Sequence, residues 1–169
     1  MTRTVWFTEI GSPAGPLRLA ADAEGLRRLD FLASPRALPP PADWIEDSAA
    51  LAGTVAQLDE YFDGRRREFT MPLAPEGTEF QRAVWRQLCT IPYGTTISYA
   101  ELAARVGNPK ASRAVGLANG QNPIAIVIPC HRVIGANGKL TGYGGGLPLK
   151  EKLLALERGQ RAFCYARRD

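Results

Sequence analysis

The stretch SYAELAARVGNPKASRAVGLANG, residues 98–120, decides how the second half of the chain folds. Ser98 and Glu101 have the spacing of a capping box, so a helix is predicted to begin there. Asn108 is predicted to cap a second helix that Pro109 opens, because proline is favoured in the first helical turn. Two short helices around a tight Gly-Asn-Pro turn are typical of a helix-turn-helix.

The second predicted helix has a packing face of small residues, namely Ala111, Ala114, Val115, Gly116 and Ala118. Small side chains let a helix backbone come close to a partner, and two partners fit. One is another helix of the same protein, which the spacing alone favours. The other is a nucleic-acid groove, with Arg113 projecting from the helix.

Upstream of this unit, Thr78 and Gln81 form another capping-box pair, and an apolar face continues through Phe80, Val84 and Leu88. The stretch MPLAPEG separates this helical part from a different kind of sequence. A domain boundary is therefore predicted near residue 75, with residues 76–169 forming a mostly helical C-terminal domain.

The first thirty residues contain three alternating runs, TVWFTEI, PLRLAA and GLRRLDFL, which turn residues separate. This pattern indicates a small antiparallel sheet. The stretch DSAALAGTVAQLDEYFDG predicts a helix with Leu51, Val55, Leu58 and Phe62 on one face, and Gly64 ends it. Residues 1–75 are the predicted N-terminal domain, and the fold class is α+β.

Composition limits the class of protein. The chain has 169 residues, 45% of them hydrophobic, a formal net charge of +4 and a pI of about 9.2. One or two globular domains fit this size, and the mild basic charge is compatible with a polyanionic partner without requiring one. No run is long enough to cross a membrane and the first residues lack the apolar core of a leader peptide, so we expect a cytoplasmic protein.

The cysteines exclude further classes. Cys89, Cys130 and Cys164 are odd in number and have no metal-ligand spacing, and the chain has one histidine. We therefore expect neither a disulfide framework nor a zinc site, and no metal. Cys89 and Cys164 are interpreted as structural residues.

Cys130 differs because it lies in IVIPCHRVIG, residues 126–135, next to His131. A thiol with an ordinary pKa near 8.5 is only slightly ionised at neutral pH, so a nucleophilic cysteine requires a nearby base or cation. Adjacent side chains diverge, so a sharp turn after Pro129 or a bridging water would have to connect the pair. The alternative is that Cys130 is a small buried apolar residue at a strand end.

A histidine base also needs an acceptor for its second ring nitrogen. The stretch LPLKEKLLALERG predicts a helix with Leu149, Leu153 and Leu156 on its buried face, and Glu157 lies beside them. Spacing makes Glu157 a candidate without singling it out.

The segments NPIAIVIPCHRVIG and GKLTGYGGGLPLKEKLLALE resemble the O6-alkylguanine-DNA alkyltransferases, also called methylated-DNA-protein-cysteine methyltransferases. The resemblance runs from GTEFQRAVWRQLCTIPYGTTISYAELA to Glu157, and SPAGPLRLA is similar to the family's first sheet. It implies a ribonuclease H-like N-terminal domain and a C-terminal domain that binds the minor groove of double-stranded DNA. It also implies that a monomer without cofactor flips O6-alkylguanine or O4-alkylthymine and transfers the alkyl group once, to its own cysteine.

The resemblance also implies roles for single residues. Cys130 would accept the alkyl group, His131 would deprotonate it through a water, and Glu157 would orient the imidazole. Asn122 would brace the turn near the cysteine, and Tyr99 would help to rotate the nucleotide and donate to the departing guanine. Arg113 would fill the gap left by the flipped base. Further DNA contacts would come from Ala114, Gly116 and Ala118, and the substrate pocket would be lined by Val133, Tyr143, Gly144 and Lys150.

Two positions depart from the pattern of some members, in which a serine replaces Gly144 and a proline replaces Ala125.

Three alternative functions are disfavoured. Cys130 argues against a lesion-binding relative that lacks the acceptor, and the Cys-His pair argues against a transcriptional regulator. A cysteine peptidase typically has its cysteine and histidine far apart in sequence. Cooperative binding along DNA is compatible with the predicted monomer.

Overall fold

The computed structural model describes residues 3–160 and 162–163. Cys164, interpreted above as structural, lies outside these residues. Within them, no helix is both long enough and apolar enough to cross a lipid bilayer.

The N-terminal part is a sheet with a helix packed on it. Its strands are β1 (Trp6–Ile10), β2 (Leu17–Asp22), β3 (Gly25–Phe31) and β4 (Ile45–Glu46), in the order β3-β2-β1-β4. The first three pair antiparallel, as the alternating runs predict, while the two-residue β4 adds a parallel pairing to β1. Leu17 and Leu19 of the central strand are fully buried because the helix covers one face of the sheet.

That helix is α1 (Ala52–Phe62), which follows a 3₁₀ turn (Ala49–Leu51). Leu51, Leu58 and Phe62 of its predicted apolar face are buried. The helix ends before Gly64, whose φ of 76° is a left-handed conformation that glycine adopts without a steric penalty.

The C-terminal part is mostly helical, as predicted. Its elements are α2 (Glu79–Leu88), β5 (Ile97–Ser98), α3 (Tyr99–Arg105), α4 (Ser112–Gly120), a 3₁₀ turn (Cys130–Arg132), β6 (Val133–Ile134) and α5 (Leu147–Glu157). β5 and β6 pair in parallel. One hydrophobic core extends from the sheet to these helices and includes the 3₁₀ turn.

The start of α2 confirms one prediction and corrects another. The Thr78 side chain accepts from the Gln81 backbone, and the Gln81 side chain accepts from the Thr78 backbone, which is the predicted capping box. Phe80, however, is 38% exposed, because the buried face is rotated toward Trp85. The Trp85 indole N–H donates to the carbonyl of Ala118, 2.9 Å away, and so ties α2 to α4.

The second helix of residues 98–120 begins later than predicted. Ser98 does cap α3, since its side chain accepts from the Glu101 backbone. Asn108 does not cap α4; its carbonyl closes a turn with the Ala111 backbone N–H at 3.0 Å, and α4 starts at Ser112. The polar Gly-Asn-Pro-Lys segment therefore forms the connection between α3 and α4 rather than the first turn of a helix.

Candidate functional site

Cys130 follows a tightly bent segment between α4 and β6. Ile126 has a φ of 70°, which is strained for a β-branched residue and costs about 1–3 kcal/mol. Asn122 holds the bend, since its Nδ2 donates to the Ile128 carbonyl at 2.7 Å and its Oδ1 accepts from the Ile124 backbone at 3.0 Å. The bend delivers Cys130 to the first position of a 3₁₀ turn, where it is 8% exposed.

The Cys130 thiol is in its protonated form at rest. Burial raises its pKa, and a hydrogen bond from Asn122 and the charge of Lys150 only partly oppose that rise. Because the thiolate is the reactive form, this cysteine needs a group that takes its proton during a reaction. Cys89, at the end of α2, is exposed.

His131 is fully buried beside Cys130 and bonds to Glu157. Its Nε2 lies 2.7 Å from Glu157 Oε2. Burial lowers the pKa of His131 although Glu157 opposes this, so the imidazole is neutral at pH 7. Burial also works against the charge of Glu157, but the hydrogen bonds and charges of His131 and Arg132 outweigh it and lower the pKa of the carboxyl to about 2.

This pair fixes the tautomer of the imidazole. An ionised carboxylate only accepts hydrogen bonds, so His131 Nε2 carries the hydrogen and Nδ1 carries the lone pair. Nδ1 is buried and has no partner among the described residues. The basic nitrogen of His131 is therefore the one that Glu157 does not occupy.

Sequence reasoning missed two partners of Glu157. Arg132 donates through Nε to Glu157 Oε1 at 2.7 Å and through a terminal nitrogen to Oε2 at 3.1 Å. The Tyr61 hydroxyl, from α1, donates to Oε2 at 2.6 Å. The position of Arg132 within the mostly apolar stretch IVIPCHRVIG was a usable signal in the sequence. Nothing in the sequence links Tyr61 to a residue 96 positions away.

A cavity of about 630 Å³ adjoins Cys130. The C-terminal part contributes Asn119, Asn122 and Tyr143 to its wall, while β3 and the loop after it contribute Phe31 and Arg36. Gly144 also lines it, and no atom lies within 4 Å of where a Cβ on Gly144 would stand. Sequence reasoning missed Asn119 and the contribution of the N-terminal part.

Lys150 and Val133, both assigned to the pocket wall, lie behind it. The Lys150 ammonium is fully buried and donates to the carbonyls of Val133 at 2.7 Å and Thr141 at 2.9 Å. Lys150 thus joins β6 to the loop that carries Tyr143. It is not a solvated surface charge, which was the alternative to a pocket role.

The remaining predicted site residues lie on or beside α3 and α4. The Tyr99 hydroxyl is 2.8 Å from Thr141 Oγ1, and a Cβ on Gly116 would stand 3.6 Å from the Tyr99 ring. Arg113 and Ala114 are exposed on α4. Ala118 is 2% exposed, which places its side chain in the core rather than on the outer face of the helix.

A buried cysteine beside a neutral histidine and a fixed carboxylate defines a protein whose own cysteine can act as a nucleophile. Family models for 6-O-methylguanine DNA methyltransferase match most of the chain. The ribonuclease-like domain matches residues 5–75, and the DNA binding domain matches residues 79–159.

Relatives with the name methylated-DNA–protein-cysteine methyltransferase match over nearly their whole length. That of Methanosarcina barkeri is 54% identical over 153 residues, which are 90% of this chain and 97% of the relative. That of Mycobacterium tuberculosis is 51% identical over 156 residues, 92% of this chain and 94% of the relative. A crystal structure of the Mycobacterium tuberculosis OGT in complex with DNA has a TM-score of 0.85 and 51% identity, over 91% of this chain and 93% of that one.

The chain therefore belongs to the 6-O-methylguanine DNA methyltransferase family, and it is a methyltransferase. The predicted family and the α+β fold class are confirmed.

Proposed function

We propose that this protein repairs double-stranded DNA by transferring the alkyl group of O6-alkylguanine, and of O4-alkylthymine, to Sγ of its own Cys130. The observation that carries the proposal is the arrangement of Cys130 at a cavity wall beside a histidine whose basic nitrogen has no hydrogen-bond partner among the residues that the structure describes. The family description, 6-O-methylguanine DNA methyltransferase, and the relatives' names, which specify methylated DNA and a protein cysteine, support this substrate class. Each chain acts once, as a monomer in the cytoplasm and without a cofactor.

The chemistry follows from the protonation states of the site. His131 Nδ1 takes the thiol proton through a water, and Glu157 stabilises the imidazolium that forms. The Cys130 sulfur then attacks the alkyl carbon in line, an S–C bond forms, and the C–O bond to the base breaks. The electron pair leaves with the base, which takes up a proton with Tyr99 as the donor. The thioether product has no thiol to ionise, so the same chain cannot accept a second alkyl group.

A base inside a duplex does not expose its O6 alkyl carbon to a buried sulfur, so the nucleotide must leave the stack first. The exposed face of α4 suits this task, because Ala114 is small and Arg113 projects from it. We propose that α3 and α4 are a helix-turn-helix in the minor groove and that Arg113 fills the gap left by the flipped base. The match of residues 79–159 to the family's DNA binding domain, together with the existence of a DNA complex of the Mycobacterium tuberculosis relative, supports a DNA-binding role for this part of the chain.

The boundary between the two predicted domains is proposed near residue 75. There the chain leaves an edge of the N-terminal sheet, where the Leu26 backbone donates to the Pro72 carbonyl at 2.9 Å and Ala74 donates to the Leu26 carbonyl at 2.8 Å. The helix-capping residue Thr78 follows. The segment that joins the domains is therefore short and bonded to β3.

Substitution of Arg113 tests the DNA-binding part of the proposal. Arg113→Ala is expected to weaken binding to a duplex with O6-methylguanine about tenfold or more, since an intercalating cation and its contacts are lost. Transfer from free O6-benzylguanine base should stay within twofold of the unmodified protein. The matched control is Arg65→Ala, an exposed arginine after α1 that pairs with Asp63. Repair of duplex by Arg113→Ala at the unmodified rate would overturn the role of Arg113.

A further inference from the structure

The Tyr61 hydroxyl belongs to a ring that packs among other aromatic rings. The ring centroid lies 5.5 Å from that of Phe62, 5.4 Å from that of Phe69 and 6.3 Å from that of Tyr93, and the residue is fully buried. A phenylalanine would fill the same space without a polar atom to satisfy. The hydroxyl is explained by its partner, because it donates to Glu157 Oε2 at 2.6 Å.

Glu157 receives its hydrogen bonds unevenly. Within the described part of the chain, Oε1 accepts one hydrogen bond, from Arg132 Nε, whereas Oε2 accepts three, from Tyr61, His131 and a terminal nitrogen of Arg132. A carboxylate oxygen has two lone pairs, and His131 and Arg132 suffice for those of Oε2. Tyr61 is therefore an additional donor on the oxygen that contacts the imidazole.

This donor competes with the imidazole for the negative charge of Glu157. Burial and the nearby carboxylate raise the pKa of Tyr61 well above its ordinary value, so the hydroxyl stays protonated and donates throughout the neutral pH range. A donor on a carboxylate stabilises the anion and weakens its attraction for a neighbouring cation. Tyr61 therefore lowers the tendency of His131 to hold a second proton before the reaction begins.

The ionisable groups that face His131 come from its own 3₁₀ turn, from α5 and from the loop before α5, namely Cys130, Arg132, Lys150, Glu157 and Tyr143. Burial lowers the pKa of His131, Glu157 raises it, and the charges of Arg132 and Lys150 lower it. Because Glu157 favours the protonated ring, a donor that occupies Glu157 favours the neutral ring. Tyr61, on α1, is such a donor from outside this set.

We propose that Tyr61 is a positioning residue, through which α1 holds Glu157 Oε2 against His131 and keeps the imidazole free to take the thiol proton. This inference rests on the proposed function, in which His131 acts as the base. It gives the N-terminal part a share in the transfer chemistry, in addition to its share of the cavity wall.

The test uses the single histidine of the chain. In a proton NMR titration of the full chain without a histidine tag, the imidazole C–H resonances report the protonation of His131 in the absence of DNA. Tyr61→Phe keeps the ring and removes the donor, so the midpoint should rise by about 0.5 pH unit or more. Methyl transfer from a duplex with O6-methylguanine should then begin to fall at a correspondingly higher pH, since protonated His131 cannot take the thiol proton.

Tyr93→Phe is the matched control. The Tyr93 ring contacts the Tyr61 ring, and its hydroxyl lies 3.4 Å from the Leu156 carbonyl instead of bonding to Glu157. The histidine midpoint of this variant should stay within about 0.2 pH unit of that of the unmodified protein. A purely structural role of Tyr61 would lower the melting temperature of Tyr61→Phe and leave its histidine midpoint unchanged.

A measurement on the unmodified protein covers the case in which Tyr61→Phe does not fold. The Tyr61 hydroxyl proton should exchange slowly with solvent, and its resonance should shift with the same midpoint as the histidine ring, because the imidazolium draws on the same oxygen. A hydroxyl resonance that does not respond, or an unchanged or lowered histidine midpoint in folded Tyr61→Phe, would overturn the role of Tyr61. Absence of methyl transfer to the unmodified protein at every pH would instead overturn the proposed function.

Discussion

The two nitrogens of the His131 ring lie in opposite environments, which we call the bonded side, at Nε2, and the cavity side, at Nδ1. On the bonded side, Glu157 Oε2 accepts hydrogen bonds from Tyr61, His131 and Arg132 at 2.6, 2.7 and 3.1 Å. On the cavity side, three buried polar atoms near Cys130 have no hydrogen-bond partner among the described residues: His131 Nδ1, Asn119 Oδ1 and the Tyr143 hydroxyl. The hydrogen bonds to Glu157 fill the acceptor sites of a carboxylate. The cavity side instead has three polar atoms without a partner among the described residues.

This difference separates two tasks of one site. The bonded side holds the ring in one tautomer and places a negative charge beside the imidazolium that forms during the reaction, so it contributes to both stability and rate. The cavity side leaves polar atoms that can bond to a substrate and accept the proton of the Cys130 thiol. Changes to the bonded side should therefore alter stability and rate together, whereas changes to the cavity side should alter rate or specificity with little effect on stability.

The largest effect is expected from Glu157→Gln, which breaks the bonded side. It leaves the Arg132 guanidinium buried without a counter-charge, so we expect a loss of about 3–5 kcal/mol in the free energy of unfolding in urea. Methyl transfer should slow at least 100-fold, since the imidazolium loses its partner. The control is Glu60→Gln, a half-exposed partner of Arg66, which should cost less than about 1 kcal/mol. Equal effects of both variants would contradict the assignment.

Acid should weaken the same side. Glu157 has a folded-state pKa of about 2 against an ordinary value of 4.5. Its stabilisation is present above pH 4.5 and is lost as the pH falls toward 2, by about 3 kcal/mol. The lowered pKa of buried His131 adds a loss of stability that starts below its ordinary value of 6.5, because the unfolded chain binds that proton more readily.

Urea midpoints between pH 7 and pH 2.5 test this. The drop below pH 4.5 should be clearly smaller in Glu157→Gln than in the unmodified protein. Parallel curves for the two proteins would show that Glu157 is not the titrating group.

A smaller effect is expected from Tyr61→Phe, which removes one donor from the bonded side. Glu157 keeps Arg132 and His131, so we expect a loss of about 1–3 kcal/mol in the free energy of unfolding and a transfer rate within tenfold of the unmodified protein. Tyr93→Phe is the control, because its hydroxyl makes a 3.4 Å bond to the Leu156 carbonyl and should contribute less. A Tyr93 variant that is less stable than the Tyr61 variant would contradict this ranking.

The smallest effect is expected on the cavity side. A Cβ at position 144 would have no atom within 4 Å, so Gly144→Ser should change the free energy of unfolding by less than about 0.5 kcal/mol. Gly145→Ala is the contrasting neighbour, because its Cβ would stand 2.5 Å from Leu149 and 3.1 Å from the Phe31 ring. It should cost about 1–3 kcal/mol. Similar melting temperatures for both variants would show that the loop adjusts freely.

Local patterns in the sequence predicted the local structure well. Alternation is a property of neighbouring residues, and it identified the three antiparallel strands. The capping box of Thr78 and Gln81 likewise spans one helical turn. The predicted start of α4 was wrong. Asparagine is common both as a helix cap and in turns, and in the structure Asn108 closes a turn with Ala111.

The candidate site was only partly predictable. Cys130 and His131 are adjacent, so a single motif indicates them both. Glu157 was one of several possible carboxylates until the family resemblance singled it out, and its bond to Tyr61 depends on how α1 packs against α5. Asn119 gave no signal, because an unpaired amide is a property of its three-dimensional surroundings.

The most direct test of the central claim is the intact mass of the protein, with peptide mapping, after reaction with an excess of duplex that contains O6-methylguanine. We expect a gain of one methyl group per chain, located on Cys130, and no gain in Cys130→Ala, which should still bind the damaged duplex. An unmodified mass in a protein that binds the lesion, or a methyl group on another residue, would contradict it.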